Sequence, residues 1–172
     1  KLACGEDGTK KEISIKDLAN RVQCANEDAL QVTQSHSSPI SPPPFMAGAA
    51  EVEVDLETGQ VELIKFAAAV DCGTPLNENL ARVQTEGGLV QGIGMALYED
   101  VSYSKDGKVH ENSFMQYKVP SRLDVGRVQV EFESSFEPTG PFGAKSIGEV
   151  VINTPSPAIA NAVYNAVGVR IR

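Results

Sequence analysis

Hydrophobic and polar residues alternate along one stretch of the chain, and this alternation predicts a β-hairpin. Every second residue from Ala50 to Leu56 is apolar, and the residues between them are acidic. Such a pattern is typical of a strand that buries one face against a core. A turn is predicted over residues 57–60, followed by a return strand over 61–70 that becomes fully apolar toward its end. A further alternating strand is predicted over 128–133.

Apolar residues recur every three or four positions in two other stretches and predict helices there. The first helix is predicted from Pro75 to Tyr98. The second has Thr154 as its predicted N-cap and Pro155 in its first turn, and it ends at Gly168. The first contains four glycines, Gly87, Gly88, Gly92 and Gly94. Each glycine in a helix interior costs about 1 kcal/mol relative to alanine. The glycines therefore indicate close approach by a ligand or another backbone, and tight packing of the helix on the sheet is an equally good alternative.

The order of these elements predicts the organisation of the chain. Strands mixed with helices, without regular βαβ repetition, predict an α+β fold with a mixed or antiparallel sheet and packed helices. The proline- and serine-rich end of residues 1–45 predicts an N-terminal appendage with a linker, and 46–172 form the main domain. Within the appendage, a turn at Asp7–Gly8 and a short strand leading into a helix capped by Ser14 are predicted. A smaller hairpin is predicted over 101–110.

Composition and charge exclude several classes of partner. The chain has 172 residues and a formal net charge of −8, without the clustered lysines and arginines that bind nucleic acid or anionic membranes. It has no apolar run near the roughly 20 residues of a membrane-spanning helix. Three cysteines without a C-x-x-C pair and two widely separated histidines predict a reducing, cytoplasmic location and no metal held by the chain's own side chains. Lys1 is not an initiator methionine, so we expect a piece of a longer protein.

The stretch Gly143–Glu149 is the candidate for chemistry. It places a carboxylate directly after a glycine, between a strand-rich region and an apolar helix. Burial of Glu149 in a cleft would raise its pKa toward the range that suits a general base. The alternative is a solvated glutamate at a helix start, where the helix dipole favours negative charge, and the residues taken alone favour this alternative. Gly92-x-Gly94 lies inside the predicted helix and lacks a third glycine, so it does not indicate a dinucleotide-binding turn.

Five motifs, taken in order, give the chain a resemblance to a known family. They are Ser41–Phe45, Val70–Gly73, the glutamine- and glycine-rich Gln84–Gly94, Tyr117–Pro120 and Gly143–Glu149. Together they resemble the C-terminal part of the molybdenum-cofactor (molybdopterin)-binding subunit of the xanthine dehydrogenase/aldehyde oxidase family. The resemblance runs from about position 41 to the last residue, and the earlier residues match only loosely.

The resemblance implies a reaction and a set of site residues. Members of this family hydroxylate an electron-poor carbon of a heterocycle or an aldehyde with oxygen from water, and a glutamate acts as the base. The resemblance implies that Glu149 is this base. It implies that Gln84 hydrogen-bonds the pterin, whose edge offers both donors and acceptors. It also implies that the metal pocket is lined by backbone groups of Ala144, Lys145, Ser146 and Ile147.

The resemblance further implies partners that this chain does not contain. The molybdenum–molybdopterin would be shared with upstream parts of the subunit, and electrons would leave through iron–sulfur clusters and flavin (FAD) on other domains or subunits. The chain alone is expected to be inactive. Purines, nicotinate-like heterocycles and aldehydes remain open as substrates, with a purine or related heterocycle preferred. Many members follow the glutamate with Pro-Pro, whereas this chain has Val150–Val151. The alternative function is a non-catalytic binding or assembly module that has kept the fold.

Overall fold

The computed structural model describes residues 2–4, 11–25 and 31–171. It divides into two compact units, Lys1–Ser37 and Ser38–Arg172. The turn predicted at Asp7–Gly8 lies outside the described residues. The boundary after residue 45 between appendage and functional domain stays a prediction. Among the described residues, no helix has the length and apolar character needed to cross a membrane.

The first unit contains a strand pair followed by one helix. β1 (Leu2–Cys4) pairs antiparallel with β2 (Lys11–Ile13), and α1 (Ile15–Cys24) follows. The Asp17 N–H donates a hydrogen bond to the Ser14 hydroxyl oxygen at 3.0 Å. This bond satisfies one of the N–H groups that a helix start leaves unpaired. The predicted strand, cap and helix are therefore confirmed, and the pairing with β1 is an addition.

The second unit is built on a three-stranded mixed sheet. Its strands are β3 (Phe45–Val54), β4 (Val61–Asp71) and β5 (Arg127–Phe132), in the order β3-β4-β5. β3 and β4 are antiparallel, as the predicted hairpin requires, and β4 and β5 are parallel. Leu56 is 82% exposed. The expectation that it continues the buried face was wrong, because β3 ends two residues earlier and Leu56 belongs to the turn.

Two helices pack against this sheet, α2 (Glu78–Leu97) and α3 (Pro155–Val167). α2 begins after the predicted start because the Asn77 side chain caps it, accepting a hydrogen bond from the Leu80 N–H at 3.1 Å. α3 ends as predicted at Gly168, which adopts the left-handed conformation with φ of 73°. The α+β fold class with a mixed sheet and packed helices is confirmed.

The hydrophobic core lies between β4 and the two helices. β4 contributes residues on one face, which alternate except at a register shift between Leu63 and Phe66, and α2 and α3 contribute residues at helical spacing. The principal buried side chains are Leu63, Phe66, Val70, Leu89, Ile93, Val130, Ile159 and Val163. Since β4 is the central strand, the core fixes the position at which its carboxyl end emerges.

The glycines of α2 allow close packing on the elements beneath the helix. A Cβ on Gly88 would lie 2.1 Å from Val151 Cγ2, and one on Gly92 would lie 2.7 Å from the proline ring that begins α3. Neither position has room for a side chain without displacement of its neighbour. Gly87 differs, because a Cβ there would meet nothing within 4 Å. Gly88 and Gly92 thus allow close packing, but against residues 151–155 rather than against the sheet, and at Gly92 this includes the backbone carbonyl of Ile152.

The smaller hairpin predicted over 101–110 is only partly formed. The segment contains one isolated antiparallel bridge between Tyr103 and Val109, with a turn at Gly107 where φ is 78°. The N–H of His110 also donates to the Ser102 carbonyl at 3.0 Å. The prediction of a full hairpin was wrong, because a single bridge forms where two paired strands were expected.

Candidate active site at the end of strand β4

The segment that directly follows β4 pairs antiparallel with the first half of the Gly143–Glu149 loop. The Thr74 N–H donates to the Gly143 carbonyl at 2.8 Å, and the Lys145 N–H donates to the Cys72 carbonyl at 2.7 Å. An isolated bridge lies between these two bonds. The candidate loop is therefore held by main-chain bonds to the end of the central strand.

Gly73 makes this pairing sterically feasible. Its φ is +68°, a conformation that residues with a Cβ rarely adopt. A Cβ at this position would lie 2.3 Å from the Gly143 carbonyl oxygen. The glycine of the Val70–Gly73 motif is thus explained by the close approach of the loop.

The Asp71 carboxylate joins the end of β4 to the same loop. Its Oδ2 accepts a hydrogen bond from Lys145 Nζ at 2.5 Å, and its Oδ1 accepts from the Ser135 hydroxyl at 2.6 Å and the Gly73 N–H at 3.0 Å. These bonds, with that from Lys145 the strongest, lower the pKa of Asp71 to about 2. The Lys145 and Asp71 side chains are 10% and 21% exposed. The aspartate therefore stays ionised at physiological pH.

A cavity of about 520 Å³ lies between α2 and the loop. Four of the predicted site residues line it: Gln84, Ala144, Lys145 and Ile147. Ser146 and Glu149 do not line it, and both are exposed. The fold thus brings the glutamine motif of α2 and the Gly143–Glu149 loop to one cavity, although they are far apart in the sequence.

Gln84 connects the two motifs directly. Its Nε2 donates a hydrogen bond to the Gly148 carbonyl at 3.3 Å. Its second amide hydrogen and its Oε1 make no hydrogen bond with the described residues. Gln84 is therefore placed both to face the cavity and to hold the residue that precedes Glu149.

Glu149 lies at the start of a single 3₁₀ turn, Val150–Ile152. Its carbonyl accepts a hydrogen bond from the Ile152 N–H at 3.2 Å. Its carboxylate is exposed and makes no hydrogen bond or ion pair with the described residues. Glu149 is therefore not buried in this chain, and the geometry matches a solvated glutamate at a helix start. Its role as base stays a prediction.

Val151, which stands where many family members have proline, is fully buried. It packs against α2 at Gly88, where the missing side chain leaves room for its methyl groups. The departure from the Pro-Pro pattern is thus accommodated in the core and leaves Glu149 at the surface.

The second half of the loop presents backbone donors. In the described part of the chain, no protein acceptor pairs with the N–H groups of Ser146, Ile147, Gly148 or Glu149. Successive unpaired N–H groups attract oxygen acceptors and anions. Of these residues, Ile147 and Gly148 line the cavity together with Gln84, whose second amide hydrogen can donate and whose Oε1 can accept. This wall fits a cofactor edge that offers both donors and acceptors.

Two residues of this site were not identified as site residues from the sequence. Asp71 stands in the Val70–Gly73 motif, which was recognised only as part of the family resemblance. The Ser135 hydroxyl, which donates to Asp71, carries no sequence signal because it lies outside every motif. Their contribution depends on contacts between segments that are distant along the chain.

Comparisons with known proteins identify the family. Residues 2–126 match the family model of the molybdopterin cofactor-binding domain. The chain belongs to this family. It is 36% identical over 167 residues to a probable hypoxanthine oxidase (XdhD) of Escherichia coli K12, covering 96% of this chain and 18% of that protein. It is 33% identical over 162 residues to a putative xanthine dehydrogenase molybdenum-binding subunit (XdhA) of the same organism, covering 92% and 22%.

A solved structure supports the same assignment. The aldehyde oxidoreductase of Desulfovibrio gigas superposes with a TM-score of 0.68 at 32% identity, over 74% of this chain and 14% of that one. The predicted resemblance to molybdopterin-binding subunits of the xanthine dehydrogenase/aldehyde oxidase family is confirmed. The chain spans about a fifth of the length of the curated relatives. The family model ends before the Gly143–Glu149 loop.

Proposed function

We propose that the chain forms part of the molybdopterin site of a molybdenum hydroxylase, an oxidoreductase that hydroxylates a heterocycle or an aldehyde with oxygen from water. The observation that carries this proposal is the cavity at which Gln84 and the Gly143–Glu149 loop meet. A module that only binds partners has no physical need for the glutamine of α2 to meet, at one cavity, the loop that leads to Glu149.

The residues at the cavity fit the cofactor by their chemistry. Gln84 retains one amide hydrogen and its oxygen for a pterin edge. The unpaired N–H groups from Ser146 onward suit the oxygen atoms of the cofactor. Ala144 and Ile147 add apolar surface to the wall of the cavity. When bound, the cofactor supplies an electrophilic metal that activates water and accepts the electrons of the oxidation.

Glu149 acts in this proposal as the general base. Its carboxylate has no partner among the described residues, so it is free to take a proton from the oxygen that attacks the substrate. The Gln84–Gly148 bond and the turn after Glu149 fix the backbone on either side of it. Exposure in this chain is compatible with the role, because the rest of the subunit would cover the site.

The substrate and the partners follow from the wider family. A purine or related heterocycle is the preferred substrate, and the relative named as a probable hypoxanthine oxidase supports this choice. Iron–sulfur and flavin groups on other domains or subunits would carry the electrons away. The site-bearing domain would be 46–172, the location would be cytoplasmic, and the chain alone would be inactive because it supplies only one side of the site.

The test uses the complete enzyme that contains this chain. Glu149→Gln is expected to lower kcat by a factor of about 10² to 10⁴, the usual contribution of a general base, with the molybdenum content unchanged. Glu57→Gln changes an exposed glutamate in the β3–β4 turn and serves as the matched control. Normal turnover by Glu149→Gln would refute the base assignment. An unmodified enzyme without molybdenum, from cells whose other molybdoenzymes are loaded, would favour the assembly module.

A further inference from the structure

The loop that carries Glu149 is fixed at few points. Lys145 is bonded through its main chain to Cys72, Ile147 is partly buried against the core, and Gly148 accepts the bond from Gln84. The path of the loop between its docked first half and Glu149 therefore depends strongly on how Lys145 is held.

The Lys145 side chain is held by charge at the end of the sheet. Its ammonium lies 2.5 Å from Asp71 Oδ2 and 5.3 Å from the centroid of the Phe45 ring. Phe45 and Asp71 are paired residues at the ends of β3 and β4. The ammonium thus contacts side chains from the paired ends of two adjacent strands, and only 10% of the Lys145 side chain is exposed.

The Asp71 side is equally constrained. Its other oxygen accepts two hydrogen bonds, from the Ser135 hydroxyl and the Gly73 N–H. The two bonds to Oδ1 fix the orientation of the Asp71 carboxylate. The Lys145 ammonium must therefore adopt the position that Oδ2 sets. Such a charge-assisted bond between fixed partners sets direction as well as distance.

We propose that Asp71 and Lys145 are positioning residues, whose ion pair fixes the direction in which the loop presents Glu149. This inference rests on the proposed function of Glu149 as base. It assigns the Lys145 side chain to the loop's own support, whereas the family resemblance implied only a backbone contribution near the metal. In this role neither side chain needs to touch the reacting atoms.

The test combines activity with amide hydrogen exchange in the complete enzyme. Asp71→Asn keeps an oxygen for Ser135 and Gly73 and removes the charge, and Lys145→Met removes the ammonium from the same pair. Each is expected to lower kcat about 10- to 100-fold, as a small misplacement of a catalytic group does. KM and molybdenum per chain should change less than about threefold, and exchange in peptide 143–149 should accelerate.

Two further variants separate positioning from general stability. Lys145→Arg keeps the charge and the hydrogen bond, and it should restore most of the lost kcat and the exchange protection. Glu78→Gln breaks the exposed ion pair with Arg82 at 3.6 Å on α2 and should change neither readout.

The outcomes are distinguishable from a failure of the proposed function. Unchanged kcat and exchange in both Asp71→Asn and Lys145→Met would overturn the positioning role. Loss of folded protein or of molybdenum in both would also overturn it, because the pair would then maintain the fold or the cofactor site. Full activity of Glu149→Gln would instead refute the base assignment, and exchange in 143–149 would still report whether the pair holds the loop.

Discussion

Two adjacent glycines in α2 provide a matched test of packing. A Cβ on Gly87 would meet nothing within 4 Å, whereas one on Gly88 would lie 2.1 Å from Val151 Cγ2. Both residues lie within the same helix, so replacement by alanine brings the same gain in helix propensity of about 1 kcal/mol. Any difference between the two variants therefore reports the space around each site.

The magnitude follows from the contact at Gly88. Ordinary contacts begin near 3.4 Å, so the Val151 methyl group must move by more than 1 Å to admit the new Cβ. Val151 is fully buried, so its methyl groups cannot move without displacing the side chains around them. Overpacking of this kind costs about 3 kcal/mol at the upper end of its range. After the propensity gain, Gly88→Ala should destabilise the chain by about 2 kcal/mol, and Gly87→Ala should stabilise it by up to about 1 kcal/mol.

Calorimetric unfolding of the 172-residue chain measures both effects. For a chain of this size 1 kcal/mol shifts Tm by about 2–4 °C, so Gly87→Ala should raise Tm by that amount and Gly88→Ala should lower it by about 4–8 °C. Val151→Ala added to Gly88→Ala should recover part of the loss, since it removes the clashing methyl groups. A Gly88→Ala variant as stable as Gly87→Ala would refute the reasoning.

Three other predictions concern the end of β4. Gly73→Ala should destabilise the chain by at least about 2 kcal/mol in urea unfolding, because its φ is positive and its Cβ would lie 2.3 Å from the Gly143 carbonyl oxygen; a neutral effect would show that the loop is not docked there. The pKa of Asp71 is lowered from 3.8 to about 2 in the folded chain, so ionised Asp71 stabilises the fold by about 1–2 kcal/mol above pH 4, and this stabilisation is lost as pH falls toward 2. Asp71→Asn should therefore lose less stability than the unmodified chain between pH 4 and 2. Urea midpoints that fall equally in both proteins over this range would contradict the prediction. Burial raises the pKa of the Cys72 thiol, so maleimide at neutral pH should modify exposed Cys24 much faster than buried Cys72. Peptide mass spectrometry measures the two rates of modification, and equal rates would show that Cys72 is not buried.

Local patterns predicted the regular elements of the fold well. The alternation before and after residues 57–60 predicted β3 and β4, and apolar spacing predicted α2 and α3. The errors arose at the ends of helices and strands, where single contacts decide which residue is the first or the last. Asn77 begins α2 later than periodicity predicted, since only its cap geometry selects the first residue. Leu56 continues the alternation of apolar and polar residues but lies in the turn. This alternation does not show at which residue the hydrogen bonds to the neighbouring strand end.

The candidate site could be predicted only as separate motifs. The family resemblance singled out Gln84 and Glu149, but the contact that relates them is a hydrogen bond from Gln84 to Gly148 across the fold. Asp71 stood in a recognised motif without an assigned role, because its partners Lys145 and Ser135 come from distant segments. Long-range pairing of this kind has no local sequence period and therefore no local signal.

The arrangement around β4 suggests why the motifs occur together. β4 is the central strand and the core covers one of its faces, so the position of its carboxyl end is fixed. The Gly143–Glu149 loop pairs with the segment after this end through Gly73, and its first half is therefore fixed as well. The docked loop then needs a support for its second half, where backbone N–H groups have to stay unpaired for a ligand. A β-ladder uses the N–H groups of a segment as well as its carbonyls, so it cannot provide that support without consuming some of the donors. Side-chain contacts from Gln84 and the ion pair of Asp71 with Lys145 can, because they hold the loop through a carbonyl and an ammonium and leave the N–H groups free.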